Sequence, residues 1–212
     1  MEEHDLLIPG LQDYIDALIP KRDEILTEME VYAQKKGFPI IGPLVGQLLM
    51  QYARIIKARR ILELGSGYGY SAIWFARATS DDAEIICTEG SETNAKLARS
   101  YFEKAGVAHK IKFYVGDGLS IMTQLQGKFD IIFNDVDKEE YPSVFKIAVK
   151  YLKRGGLLIT DNTLWYGKVR EAVPKEESTR GVKEYNRLAF SDSSVFSTII
   201  PIRDGVTVSL RL

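Results

Sequence analysis

The residues best suited to chemistry in this sequence are oxygen donors and one lysine. Asn134-Asp135-Val136-Asp137-Lys138 and Asp161-Asn162 each follow a short apolar run, Phe129 to Phe133 and Leu157 to Thr160. Asp135, Asp161 and Asn162 offer only hard oxygen atoms, and no His or Cys lies near them in sequence. Such a set suits a divalent metal, Mg²⁺ first and Ca²⁺ or Mn²⁺ next, and does not suit zinc. Few protein ligands would leave coordination places for water or substrate oxygens. Lys138 is by position an ordinary solvated helix-start residue; beside a metal and a substrate it becomes a candidate base. Asp161-Asn162 alone reads equally well as a plain turn.

A second group surrounds a glycine turn. Ile61, Leu62 and Leu64 form an apolar run, glycines follow at 65, 67 and 69, and Ala72, Ile73, Phe75 and Ala76 then repeat at helical spacing. This is strand, tight turn, helix, which brings backbone amides and a helix N-terminus to a ligand. A dinucleotide site reads G-x-G-x-x-G because a pyrophosphate sits on the helix end. Here the pattern is E-x-G-x-G-x-G, and Glu63 would repel a pyrophosphate but suit a cation. S-adenosylmethionine carries an ammonium, a sulfonium and one carboxylate, and no phosphate. Glu63 is placed to hold the ammonium side, with Ser71 and the amides around Gly65 and Gly67 taking the carboxylate. A ligand-free glycine turn remains the plainer reading of the motif by itself.

The elements that must position these groups alternate. Strands are expected at 60–64, 84–88, 111–115, 129–133 and 157–160, with helices at 70–79, 92–105, 119–125 and 139–152 and a turn at Gly155-Gly156. Strands alternating with helices predict a Rossmann-like α/β fold: a doubly wound, seven-stranded, mostly parallel sheet with helices on both faces. Residues 195–202, Asp204-Gly205 and 206–212 read as an antiparallel C-terminal hairpin. Three extra N-terminal helices are expected at 11–18, 23–36 and 43–56, the last opened by Pro43. The polar stretch 168–180 reads as a surface loop. One domain over 1–212 is expected, with helices over 1–58 and the core over 59–212. Ligands of such sheets bind beyond the carboxyl ends of the strands. Glu89, after the second strand, suits ribose hydroxyls, and Asp117 in Gly116-Asp117-Gly118 suits an adenine amino group. Each acid alone reads as a solvated loop residue; together they favour an adenosyl ligand.

Composition narrows the field. The chain has 212 residues, 45% hydrophobic and 27% charged, with a formal net charge of −1. That balance gives no global attraction to nucleic acid or to an anionic membrane. The single cysteine, Cys87, excludes an internal disulfide and reads as a buried strand thiol. The MEEHDLL start lacks the pattern of a signal peptide, and no run is long enough to span a membrane. A cytoplasmic location is the resulting expectation.

ILELGSGYGYSA, TEGS, GDG, FNDVDKEEY and TDNTLWYGKV resemble, in order, the signature blocks of metal-dependent class I O-methyltransferases. That family includes catechol and caffeoyl-CoA O-methyltransferases and small bacterial relatives. The resemblance implies S-adenosylmethionine as methyl donor and a divalent metal at Asp135, Asp161 and Asn162 that grips a vicinal diol. It implies Lys138 and Asp135 as the catalytic pair. Cofactor contacts would come from Ile40, Glu63, Gly65, Gly67, Ser71, Glu89, Asp117, Gly118 and Asp135. The family's fourth-strand block reads I-D-A-D-K, whereas Asn134 and Val136 flank Asp135 here; the ligand and base positions are intact. The acceptor is expected to be a small-molecule hydroxyl, and a homodimer is expected by analogy. The rivals are a methyltransferase acting on the 5-hydroxyuridine of tRNA, a non-catalytic S-adenosylmethionine-binding module and, more remotely, a nicotinamide dehydrogenase.

Overall fold

The structure is a computed structural model that describes residues 10–212. The expectation about a signal peptide concerns residues outside that range. The chain forms two compact units, 10–17 with Gln126–Leu212, and Leu18–Leu125.

In the second of these, α2 (Glu24–Lys36) starts where the Asp23 carboxylate accepts the amides of Ile25 and Leu26, and ends on left-handed Gly37. Its buried stripe is Leu26, Met29 and Ala33. α3 (Gly42–Ile55) follows with Pro43 in its first turn, while α1 (Leu11–Leu18) belongs, but for its last residue, to the other unit. Then come β1 (Arg60–Leu64), α4 (Tyr70–Ala78), β2 (Glu84–Glu89), α5 (Glu92–Lys104), β3 (Ile111–Val115) and α6 (Gly118–Gln124). β1 pairs with β2 and β2 with β3, both parallel. Ile61, Leu62, Leu64, Ile85, Ile86 and Cys87 are all buried, as strands covered on both faces require. Lys110 is buried too; its ammonium caps the last carbonyls around α4, Ala76 at 3.1 Å and Thr79 at 3.0 Å.

The other unit contains β4 (Phe129–Asn134), α7 (Tyr141–Tyr151), β5 (Leu152–Thr160), α8 (Glu177–Ser191), β6 (Val195–Ile200) and β7 (Val206–Arg211). β4 and β5 run parallel, and β7 pairs antiparallel with both β5 and β6. The whole sheet has seven strands in the order β3-β2-β1-β4-β5-β7-β6. The mostly parallel sheet with an antiparallel end is therefore the one the sequence predicts.

Two expectations change. Gly155-Gly156 is not a turn between helix and strand but lies inside β5, at an irregular step of the ladder where Phe129 pairs with Leu152 and Ile131 with Leu157. A Cβ on Gly156 would stand 3.0 Å from the Asp130 carbonyl, so only glycine lets the strands close there. The expected loop 168–180 is shorter, 171–176: 3-10 turns occupy Trp165–Arg170, broken by left-handed Tyr166 and Gly167, and α8 begins at Glu177. Its buried face, Gly181, Val182, Tyr185 and Ala189, has helical spacing.

The α2 cap gives a stability test. Partial burial works against the charge of Asp23, but the Leu26 and Ile25 amides and the Arg77 guanidinium outweigh it and hold its carboxyl below the ordinary value. A depressed carboxylate contributes stability above its unfolded pKa and loses it as pH falls through the folded one. Asp23→Ala is expected to cost about 0.5–2 kcal/mol at pH 7 in urea unfolding. The deficit should shrink as the solution is acidified through the carboxylate range. A deficit constant down to pH 2 would mean the carboxylate charge plays no part.

Candidate functional site

The glycine turn is built by parallel pairing. At the end of β1, the amides of Gly65 and Ser66 both donate to the Thr88 carbonyl of β2, at 3.2 and 2.9 Å. Gly65, Gly67 and Gly69 all have positive φ, which non-glycine residues adopt only with strain. Gly69 is tight as well, since a Cβ there would lie 2.5 Å from the Phe102 ring. α4 starts immediately after it and presents its first amides at the turn.

Glu63 is fully buried, and its carboxylate accepts the Ser71 hydroxyl and, at 3.4 Å, the Cys87 thiol. Glu63 and Ser71, expected to hold opposite charges of one ligand, thus form a pair with each other. Cys87 is the buried strand thiol expected, raised well above its ordinary pKa by burial and by the Glu63 charge. Glu89 closes the turn from the end of β2. Its Oε2 accepts the Gly67 amide at 2.9 Å, and its Oε1 accepts the Ser91 amide at 2.9 Å and the Asn94 side chain at 3.1 Å. It remains half-exposed, with acceptor capacity beyond these bonds. Asp117 caps α6 through the Ser120 amide at 2.7 Å, and the Ser120 hydroxyl first and this amide second lower its pKa. Gly118 lies against the strand ends, where a Cβ would meet Thr88 Oγ1 at 2.9 Å. Ile40 is half-buried just ahead of α3, and nearby Phe38 covers Gly67.

In the other unit, Asp135 follows β4, and Asp161 and Asn162 follow β5. Lys138 lies on a 3-10 turn, Lys138–Glu140, ahead of α7. Its Nζ is 3.0 Å from Asp135 Oδ1 and 3.2 Å from the Val136 carbonyl, with the Tyr141 and Trp165 rings 5.1 and 5.8 Å away. Asn162 is left-handed. Tyr141 donates its hydroxyl to the Asp161 carbonyl at 2.9 Å. Burial, and then the charge of Asp135, push Asp161 well above the usual carboxylate range. Burial raises Asp135 too, opposed by Lys138.

The sequence reading missed a third acid. Asp204 counted only as a hairpin-turn residue, but its Oδ1 accepts the Tyr166 amide, and its Oδ2 is buried. Burial raises its pKa, against the Tyr166 amide, Lys138, Arg203 and Asn162. Arg203 also offsets the charges of Asp135 and Asp161. No spacing rule links residue 204 to residue 161; only the pairing of β7 with β5 does so.

Crowded buried acids with an amide oxygen fit a hard divalent cation, which would relieve their repulsion. The set is two carboxylates and an amide; among the described residues no three His, Cys, Asp or Glu side chains form a metal cluster.

The model of a known family of O-methyltransferases matches residues 20–212. The chain belongs to the O-methyltransferase family. The catechol O-methyltransferase of Niastella koreensis is 30% identical over 92% of this chain and 90% of its own. The caffeoyl-CoA O-methyltransferase of Eucalyptus gunnii is 32% identical over 96% of this chain and 88% of its own. Among solved structures, the O-methyltransferase TomG from Streptomyces achromogenes, in complex with SAM, superposes with a TM-score of 0.88 at 31% identity, covering 100% of this chain and 99% of that one.

The acid pair of this O-methyltransferase has a sign that can be tested. A carboxyl whose folded pKa is raised costs stability as pH rises through that pKa, and costs nothing below the unfolded value. In EDTA-treated protein at neutral pH, Asp161→Asn should therefore raise the melting temperature, by about 2–4 °C for each kcal/mol of penalty relieved. The gain should vanish as pH falls toward 4. A variant that melts lower than the parent at pH 7.5 would contradict the crowding.

Proposed function

We propose that this O-methyltransferase moves the methyl group of S-adenosylmethionine onto one hydroxyl of a small-molecule vicinal diol, with a divalent cation at Asp135, Asp161 and Asn162. The observation that carries the reading is the set Asp135, Lys138, Asp161 and Asn162 just past β4 and β5. Catechol and caffeoyl groups, which stand in the relatives' names, are both vicinal aromatic diols. The acceptor class of this chain is inferred from that shared chemistry.

The adenosyl part is assigned to the glycine turn, with Glu89 accepting the ribose hydroxyls and Asp117 or Gly118 flanking the base. The Gly65, Gly67 and Gly69 amides are bonded within the turn, so the carboxylate is assigned to the first amides of α4, and Glu63, paired with Ser71, sets a negative charge beneath the ammonium. Transfer is an in-line displacement: the acceptor oxygen forms a bond to the methyl carbon as the carbon–sulfur bond breaks, leaving S-adenosylhomocysteine. Asp135, Asp161 and Asn162 hold the cation, which when bound supplies Lewis acidity and orientation to the diol. Lys138 takes the hydroxyl proton at Nζ. The Trp165 and Tyr141 rings and the Val136 carbonyl fix where that nitrogen sits, and position dominates a displacement of this kind.

The reading extends to location and assembly. No helix among the described residues is long and apolar enough to cross a membrane, and cytoplasmic residence fits the reading. Homodimerisation is proposed through apolar side chains left in solvent at the C-terminal end, Phe190, Phe196 and Leu212, exposed 56%, 68% and 51%. Light scattering at micromolar concentration should give twice the chain mass; a monomer mass would remove the dimer.

Glu89→Ala should weaken S-adenosylmethionine binding in calorimetry, and equal affinity would refute the ribose assignment. Lys138→Ala should keep cofactor and metal binding but lose turnover by roughly a hundred- to ten-thousand-fold, with partial rescue at high pH as more acceptor is already ionised. Full activity after EDTA treatment would dismiss the metal.

A further inference from the structure

α8 packs on the Lys138 turn, and a residue with no side chain stands between the two backbones. A Cβ built on Gly181 would stand 2.2 Å from the Lys138 carbonyl oxygen, 2.9 Å from its carbonyl carbon and 3.0 Å from the Glu139 Cα. These are backbone atoms, so no rotamer change could make room. Gly181 lies within the helix and away from its ends. Glycine there costs roughly 0.5–1 kcal/mol relative to alanine, so helix formation does not favour it. Close approach to the 138–140 backbone is what it provides.

The same helix grips the rest of this site. Asn186 donates its side-chain amide to the Thr163 carbonyl at 2.8 Å, one residue past Asn162. Tyr185 packs edge-on against Tyr141, with ring centroids 5.5 Å apart, and Tyr141 is itself one wall around the Lys138 ammonium. Gly181 and Tyr185, one helical turn apart, therefore set the main chain and a side-chain wall of the same lysine.

We infer that Gly181 is a positioning residue for Lys138: the seat of α8 on the Lys138–Glu140 turn fixes where the lysine nitrogen is held. The inference rests on the reading of Lys138 as the base. A β-carbon at 181 must push the turn away from α8, and displacements near an ångström cost about a hundredfold in reactions governed by alignment.

The test is a double-mutant cycle in the full-length enzyme, with Gly181→Ala, Lys138→Ala and the double variant. Gly181→Ala should lower kcat about 10- to 100-fold, with acceptor KM and S-adenosylmethionine affinity unchanged. In the Lys138→Ala background it should cost nothing further, because the group it places is gone. Thr179→Val, a nearly isosteric change at another buried position of α8, should leave kcat unchanged. Multiplicative losses in the double variant, or an equal loss in Thr179→Val, would overturn the inference and leave the base assignment standing. Normal turnover by Lys138→Ala alone would overturn the base assignment and this inference with it. Should Gly181→Ala lose cofactor binding and so fail to fold, Val182→Ala loosens the same helix more gently and runs through the same cycle with the same criteria.

Discussion

Parallel pairing is the constraint behind this molecule. A parallel neighbour cannot be reached by a tight hairpin, so the chain must cross over and return before the next strand begins. Every strand of such a set then finishes at the same edge. In β1, β2 and β3 this brings Gly65, Glu89 and Asp117 to one edge, although 52 positions separate the first from the last. In β4 and β5 it does the same for Asp135 and Asp161. β1 and β2 are buried and mostly apolar, with Glu63 the buried charge inside β1, so most of the candidate polar groups stand where the strands end.

This is why the placement of the candidate residues was legible in the sequence. An apolar run that stops at an acid or glycine marks a strand end, and Glu89, Asp117, Asp135 and Asp161 all sit at such breaks, whereas Glu63 lies within β1. What stayed hidden depended on long-range partners. α8 was missed because its first half is dense in charge, with Glu177, Arg180, Lys183 and Glu184 masking a buried face of only a few residues. Gly155-Gly156 has the composition of a turn, and only the opposing carbonyls of β4 make it part of a strand. Asp204 sits in a genuine hairpin turn, and its second role comes from the antiparallel return of β7. The Glu63–Ser71 pair could have been read from the sequence, since the two flank one turn, but assigning each to a ligand concealed their bond to each other.

The Asp135 and Asp161 region shows the tension between folding and function. Buried carboxylates with raised proton affinity are poor for stability. The surroundings moderate that cost without abolishing it: Arg203 and Lys138 supply positive charge, and the hairpin and α8 hold the segment rigid. Left-handed Asn162, Trp165, Tyr166 and Arg203 fall in this same stretch, where tertiary contacts such as the Thr163 and Leu164 amides on the Gly205 and Asp204 carbonyls must outweigh local preference.

The glycine turn behaves in the opposite way. Glu89 joins the Gly67 amide, the Ser91 amide and the Asn94 side chain through its own carboxylate. The loop's conformational entropy is surrendered during folding, so a nucleoside bound there, as proposed, would not have to order the loop. On the proposed assignment, donor and spent donor would offer Glu89 the same ribose, since they differ by one methyl group and one positive charge on the sulfur. Discrimination between charged and exhausted cofactor would then have to arise at the sulfur.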